Sequence, residues 1–163
     1  MDQFDKQAHR PLAKETQEPV IEQVPTDFLS FLASTKQNEF ESLYDFALDT
    51  LTFSNKVNIY HWTCEQGFVH TVMEDIYEML RSFADDLVEV VMSKDIKFKI
   101  NNKQYTMTDQ IYDKTNVITK ITEYREEANR ISEFFKQDRG ITPLFDNLIS
   151  GLDKQLGLLK SFN

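Results

Sequence analysis

The residues best suited to do chemistry lie in the middle of the chain. Two of its three histidines, His61 and His70, are followed by carboxylates at Glu74, Asp85 and Glu89. Imidazole combined with carboxylate is a ligand set for iron or zinc rather than for calcium. These five residues are therefore the candidate metal ligands, and with a redox-active metal they are also the candidate catalytic residues.

Four of the candidates fall in one helix-patterned segment. At about 100° per residue, Glu74, Asp85 and Glu89 project within roughly 100° of His70, so they share a helix face. His70 and Asp85 are nevertheless about 22 Å apart along a helix axis at 1.5 Å per residue, too far to chelate one ion within one chain. Either the chain carries two half-sites, or a twofold dimer with antiparallel second helices brings His70/Glu74 of one chain opposite Asp85/Glu89 of the other.

The segments that must position these residues have the apolar spacing of amphipathic helices. A short helical start at Thr26–Leu32 is followed by an interruption at Ser34–Asn38. Longer helices are then predicted over 39–62, 69–92, 108–136 and 142–162. Gly67 punctuates the turn after the first long helix, and His61 folds back over that turn beside His70.

The last two helices are bounded by local signals. Asp138-Arg139-Gly140 closes the third, with glycine at the usual stop position. Thr142 is expected to cap the fourth helix, and Pro143 occupies its first helical position.

Four long helices predict an all-α fold, an up-down four-helix bundle. Short turns make each helix pair antiparallel, and a connection of about 15 residues between helices 2 and 3 is long enough for the crossover of the ferritin-like topology. Within it, alternation over Ile96–Met107 favours a short β-hairpin, with an irregular crossover as the alternative. Residues 1–25 are predicted to be a flexible polar arm and 26–163 the bundle domain.

Composition excludes some functional classes. A net charge of −9 argues against a nucleic-acid surface, because phosphate binding needs a basic face. Cys64 is the single cysteine, which argues against a disulfide framework and favours a cytoplasmic protein. No signal peptide is evident, and no stretch approaches the roughly 20 apolar residues of a membrane span.

The histidines and carboxylates also carry a family resemblance. The pattern resembles that of the Dps-type mini-ferritins, which protect DNA during starvation, and the resemblance extends over roughly Phe40–Phe162. The residues that carry it are His61-Trp62, Gly67, His70 with Glu74 four residues later, and Asp85-x-x-x-Glu89.

The resemblance implies a ferritin-like subunit in a hollow, dodecameric homo-oligomer that oxidises iron(II), preferably with hydrogen peroxide, and stores it as a ferric mineral. The ferroxidase site would lie between subunits and hold one or two irons. His61, His70 and Glu74 would come from one subunit, and Asp85 and Glu89 from its neighbour. Asp85 and Glu89 would hold the first iron, Glu74 would help with a second iron or a bridging water, and Trp62 would lie beside the site.

Some features depart from the family pattern. The span from His61 to His70 is shorter by close to one helical turn, which predicts a tilt of His61 away from its partner. Glu74 replaces a more usual aspartate. The hairpin-like Ile96–Met107 segment differs from the usual crossover, and the acidic arm lacks the basic tail by which some members bind DNA.

Simpler interpretations stay open. The histidines could be core or interface residues satisfied by backbone carbonyls, and the carboxylates a solvated helix face. The chain would then be a ferritin-like structural or interaction protein, for example a virion or assembly component. A zinc site that links the two chains of a dimer is a third interpretation. Cys64 is interpreted as an incidental thiol. The aromatic residues expected in the core are Phe40, Trp62, Phe83, Phe134 and Phe145.

Overall fold

The chain folds into four α-helices. The computed structural model describes residues 26–98 and 114–161, with residues 26–37 described for their backbone only. Helix α1 spans Thr26–Thr63, α2 Gly67–Met92, α3 Lys114–Phe134 and α4 Thr142–Ser161. No strand occurs in these ranges. The predicted all-α four-helix bundle is confirmed, with one hydrophobic cluster shared by all four helices.

Helices α1 and α2 form an antiparallel hairpin joined by residues 64–66. Close to the turn, His61 lies beside His70. Further along, the Ser54 hydroxyl donates a hydrogen bond of 2.9 Å to the Tyr77 carbonyl. The two helices therefore stay packed against each other over several turns. This packing determines which side of α2 faces outward.

Contacts between α2 and α4, together with the short α3–α4 connection, fix the remaining directions. Gln155 of α4 donates to Asp75, near the start of α2, whereas Gly140, just before α4, lies against Val90, near the end of α2. Helix α4 is consequently antiparallel to α2. Since α3 and α4 are joined by the short segment 135–141, α3 runs parallel to α2.

Helix α1 is continuous, and the predicted interruption at Ser34–Asn38 is wrong. The backbone is helical throughout Thr26–Thr63. The segment is polar, but it contains neither glycine nor proline. Polar residues such as lysine and glutamine cost little in a helix, so polarity alone does not end one.

Helix α2 matches its predicted pattern closely. Its buried residues follow the predicted apolar stripe at helical spacing, with Met79 partly buried. Gly67, expected in the turn, is instead the first residue of the helix, after the N-cap residue Gln66. Burial of this stripe leaves the opposite, charged side of α2 on the surface.

The aromatic core is built around Phe46. Its ring stacks on Tyr124 and on Phe145, with centroids 5.6 and 5.7 Å apart. Phe83 and Phe145 are buried as predicted, and Phe40 is partly buried. Trp62 and Phe134 were expected in the core, but they are 69% and 66% exposed in the single chain. Helical periodicity near the end of a helix does not distinguish its buried edge from its exposed edge.

The turn between α3 and α4 is organised by Asp138. Its Oδ1 accepts hydrogen bonds from the backbone N–H groups of Gly140 and Ile141, and its Oδ2 accepts one from Lys94, just after the end of α2. The turn lies where expected, but Gly140 has no positive φ, so it is not a left-handed stop. Thr142 donates its hydroxyl to the Phe135 carbonyl, so Asp138 rather than Thr142 supplies the side-chain acceptor for this turn.

Several predictions concern residues outside the described ranges. The polar arm of residues 1–25 and the start of the third helix at 108–113 lie there. The same holds for most of the proposed hairpin. Of that hairpin, Ile96–Phe98 is described, without regular secondary structure. Tyr44 donates its hydroxyl to the Ile96 carbonyl and packs edge-on against Phe98, which fixes the chain against α1 just after α2 ends.

Candidate functional site

The two histidines form a reciprocal pair at the α1–α2 turn. The Nδ1 of His61 lies 2.9 Å from the backbone oxygen of His70, and the Nδ1 of His70 lies 2.9 Å from the backbone oxygen of His61. His61 is buried and His70 is partly buried. The prediction that His61 folds back beside His70 is confirmed, and the predicted tilt away from it is wrong. The short turn brings the rings face to face.

The hydrogen bonds determine which nitrogen of each ring is available. A carbonyl oxygen can only accept, so each Nδ1 must carry the proton. In a neutral ring, the Nε2 lone pair is then left for another partner. Neither Nε2 has a hydrogen-bond partner among the described residues. A histidine that binds a metal through one nitrogen commonly donates the other N–H to a backbone carbonyl.

The rings are stacked closely and almost in parallel. Their centroids are 3.7 Å apart and their planes differ by 28°. A nitrogen lone pair lies in the plane of its ring, so these lone pairs do not converge on a point within a coordination distance of roughly 2 Å. Both rings can therefore bind one ion only after one of them turns, whereas a single ring can bind as it stands.

The candidate carboxylates lie on what we call the α2 outer face. It comprises His70, Glu74, Glu78, Arg81, Asp85 and Glu89. Glu74, Asp85 and Glu89 are exposed and extend along the helix away from the histidine pair. In the described residues, no three His, Cys, Asp or Glu side chains form a group that could hold a metal ion. The two halves of the predicted ligand set thus remain separate in one chain.

Two further residues, Tyr77 beside His61 and Arg81 beside Tyr77, were not singled out from the sequence. Tyr77 packs edge-on against His61, with ring centroids 5.4 Å apart. The guanidinium of Arg81 lies over the Tyr77 ring, 5.2 Å from its centroid, and its Nη2 donates to the Asn55 side-chain oxygen at 3.2 Å. Helical spacing in the sequence could have identified them, because Tyr77 and Arg81 project within about 20° of His70 around a helix.

Arg81 has no carboxylate partner in the described part of the chain. Glu78 lies one turn before it, yet the two side chains form no ion pair, because the guanidinium is turned toward Tyr77 and Asn55. Of the five N–H groups of a guanidinium, one is engaged here. The remaining donors lie on an exposed residue in the middle of the α2 outer face.

An exposed apolar stripe borders this face. On α1, Leu51, Ile59 and Trp62 are 40%, 43% and 69% exposed. With Asn55 they project within about 80° of one another on the helix. Asn55 reaches Arg81, so the stripe lies directly beside α2. Large apolar side chains gathered next to unpaired charges are typical of a surface that another molecule covers.

Cys64 contributes no ligand group here. It is partly buried in the α1–α2 turn, and its Sγ lies 3.8 Å from the Gln66 carbonyl. Its backbone N–H bonds to the carbonyl of His61 at 3.4 Å. The cysteine thus takes part in the turn that holds the histidines together.

Comparison with known proteins assigns no family. No protein-family model, curated protein or solved structure matches the chain. In the described ranges, no helix is long and apolar enough to span a membrane.

Proposed function

We propose that the chain is a Dps-like iron(II)-oxidising and iron-storage protein, with a ferroxidase site shared between two copies. The observation that carries the proposal is the reciprocal histidine pair. It fixes the proton on both Nδ1 atoms and leaves both Nε2 atoms without a described partner, as metal binding requires.

The separation of the ligand halves supports a site between chains. His70 and Asp85 are 15 residues apart on one continuous helix, about 22 Å, so a single chain cannot bring them together. If two α2 helices pack antiparallel about a twofold axis between Met79 and Leu80, His70 comes opposite Glu89 of the second copy. Glu74 then comes opposite Asp85 of that copy. Each dimer gains two equivalent sites.

The helix directions support the ferritin-like part of the proposal. Because α2 and α3 run in the same direction, α2 ends and α3 begins at opposite ends of the bundle. That relation is the one expected when a long crossover joins the two helix pairs. A ferritin-like subunit in turn provides the outer α1–α2 surface on which a second copy could dock.

In the proposed reaction iron(II) is the substrate. Asp85 and Glu89 of one copy supply anionic oxygens, which favour the ferric product over the ferrous substrate because its charge is higher. His70, with His61 after a ring rotation, supplies neutral nitrogen ligands from the other copy. Hydrogen peroxide or oxygen takes the electrons and is reduced. Glu74 is placed to bind a second iron(II) or to accept protons released by bound water.

Iron(II) titration under anaerobic conditions, followed by peroxide, tests the proposal. Saturable binding and rapid growth of ferric absorbance are expected. His70→Ala and Asp85→Ala should each weaken iron(II) binding by at least about tenfold. Glu126→Gln, at an exposed carboxylate of α3, is the matched control and should behave like the parent chain. An assembled, folded protein that neither binds nor oxidises iron(II) would exclude the proposal.

One observation favours a different function. The stacked rings bury His61 and satisfy both Nδ1 atoms without any metal, so the pair could serve only to fasten α1 to α2. The chain would then be a structural or interaction protein that uses the exposed apolar stripe of Leu51, Ile59 and Trp62. A zinc ion that links two copies without redox work is a further alternative. Zinc binding with no oxidation of iron(II) would identify it.

A further inference from the structure

We infer that Arg81 and Glu78 form reciprocal ion pairs between two copies of the chain, and that these pairs set the register in which the α2 outer faces meet. The inference takes its antiparallel arrangement from the proposed function. It does not depend on whether a metal binds, because neither residue belongs to the proposed ligand set.

The positions of the two residues provide the first argument. Glu78 and Arg81 lie at equal distances on either side of the midpoint between Met79 and Leu80. In the antiparallel arrangement, Glu78 of one copy is therefore level with Arg81 of the second, and the twofold axis repeats the pair. At 1.5 Å per residue, each lies about 2 Å along the helix from the axis, at the centre of the contact. A shift by one helical turn would separate both pairs.

Charge complementarity is the second argument. Every other charged residue of the α2 outer face is acidic or a histidine. Arg81 is therefore the one residue of that face with a permanent positive charge. If the faces met in a different register, Glu78 would lie near carboxylates of the second copy. Like charges brought together at an interface oppose that pairing, and opposite charges favour the correct one. The pair thus favours the one alignment that also brings the ligand halves together.

The conformation of Arg81 also favours pairing with a second copy. Its guanidinium is held over Tyr77 and bonded to Asn55, although Glu78 is one turn away on the same helix. A side chain already held in place loses less conformational entropy when it pairs. Its remaining N–H donors can form a bidentate contact with a carboxylate that approaches from outside.

Charge exchange tests this inference in metal-free protein kept in chelator. Sedimentation velocity over a concentration series gives the midpoint of self-association for the parent chain, Glu78→Arg, Arg81→Glu and the double variant. Each single variant places like charges across the axis, and the midpoint concentration should rise by at least about tenfold. The double variant restores opposite charges with the residues exchanged. Its midpoint should return to within about threefold of the parent value.

Controls separate a folding defect from an interface defect. Glu126→Arg makes the same charge change as Glu78→Arg, but on α3, and should leave the midpoint unchanged. Thermal unfolding checks that each variant folds. Single variants that associate like the parent chain would overturn the inference. So would a double variant whose midpoint concentration is as high as that of the more weakly associating single variant. A parent chain that stays monomeric with and without iron(II) would also overturn it.

The outcome can be distinguished from failure of the proposed function. Iron(II) binding is measured on the same proteins in a separate titration. Rescue of association in a chain that does not bind iron(II) supports the ion pair and contradicts the ferroxidase proposal. Iron(II) oxidation together with charge-insensitive association contradicts the ion pair alone.

Discussion

At the scale of single residues, the histidine pair shows how a short turn can orient two imidazoles. Each Nδ1 bonds to a backbone carbonyl of the other residue, so the bonds tie main chain to side chain in both directions. Truncation of one histidine removes one of these bonds and the ring stacking. The carbonyl that it offered to the other ring remains.

A double-mutant cycle should therefore isolate the stacking. We expect His61→Ala and His70→Ala each to lower the free energy of unfolding by about 1–2 kcal/mol, because each removes one hydrogen bond and the ring contact. The coupling between them should be about 0.5–1.5 kcal/mol. Urea unfolding at neutral pH in chelator measures all four proteins. Strict additivity would contradict the observed ring contact.

Asp138 links the α3–α4 turn to the end of α2. Burial raises the pKa of its carboxyl, but the hydrogen bonds from Lys94, Gly140 and Ile141 and the charge of Lys94 outweigh it, so the pKa is lowered overall. A carboxyl with a lowered folded-state pKa stabilises the fold above its unfolded pKa of about 3.9. That stabilisation is lost as the pH falls through the folded-state pKa.

Asp138→Asn should consequently destabilise the protein at neutral pH and much less in acid. The variant keeps an oxygen acceptor for the backbone N–H groups but loses the ion pair with Lys94, which is partly exposed. We expect a loss of about 0.5–1 kcal/mol at pH 7 that shrinks below about pH 4. Urea unfolding over a pH series measures the difference. Asp146→Asn on exposed α4 surface is the control, and a pH-independent difference for Asp138→Asn would refute the assignment.

At the scale of helices, the spacing of α4 from α2 depends on Gly151. A β-carbon at this position would overlap the Met79 sulfur, whereas one at Gly157 would meet nothing within 4 Å. Both glycines lie inside α4 and neither has a positive φ. They therefore form a matched pair in which packing differs and helix propensity is the same.

Alanine should stabilise the protein more at position 157 than at position 151. Gly157→Ala should stabilise the protein by roughly 0.5–1 kcal/mol, because alanine favours the helix. Gly151→Ala gains the same propensity but must displace the flexible Met79 side chain, which should offset about 0.5 kcal/mol or more of that gain. Thermal unfolding measures both. Equal stabilisation by the two substitutions would contradict the close α2–α4 packing at Gly151.

The sequence predicts these helices to different degrees. The apolar stripe of α2 lies at regular spacing, and burial follows it almost residue by residue. In α1 the polar stretch around Lys36 suggested a break, because a polar stretch without apolar periodicity can be either a helix or a loop. The exposure of Trp62 and Phe134 was missed for a related reason: a stripe shows which residues share a face, but not how far the neighbouring helices extend over it.

The candidate site, too, could be predicted from the sequence only in part. Helical spacing was enough to place Glu74, Asp85 and Glu89 on one face with His70 and to show that one chain could not complete the site. The reciprocal bonds of the histidines could not be predicted, because they depend on the geometry of the turn at residues 64–66. The orientation of Arg81 depends on Asn55 of the other helix, and such tertiary contacts have no signal in local spacing.

At the scale of the whole molecule, assembly should respond to divalent cations. In the proposed dimer Glu74 faces Asp85 of the second copy and His70 faces Glu89, which concentrates negative charge at both sites. A bound cation would relieve this repulsion and, by linkage, favour the assembled form. We expect zinc or anaerobic iron(II) to lower the midpoint concentration of self-association at least about tenfold relative to chelator, as measured by sedimentation velocity. Magnesium, which prefers oxygen ligands, should act more weakly.

Complementation between two inactive chains tests the shared site most directly. One chain carries His70→Ala and Glu74→Ala, and the other carries Asp85→Ala and Glu89→Ala. Each alone should fail to oxidise iron(II), because every twofold contact lacks one ligand half. Mixed dimers contain one intact site and one site without either half. After equal mixing and reassembly, roughly a quarter of the parent oxidation rate per chain should return. Active parent protein with no recovery in a verified mixed assembly would contradict the shared site.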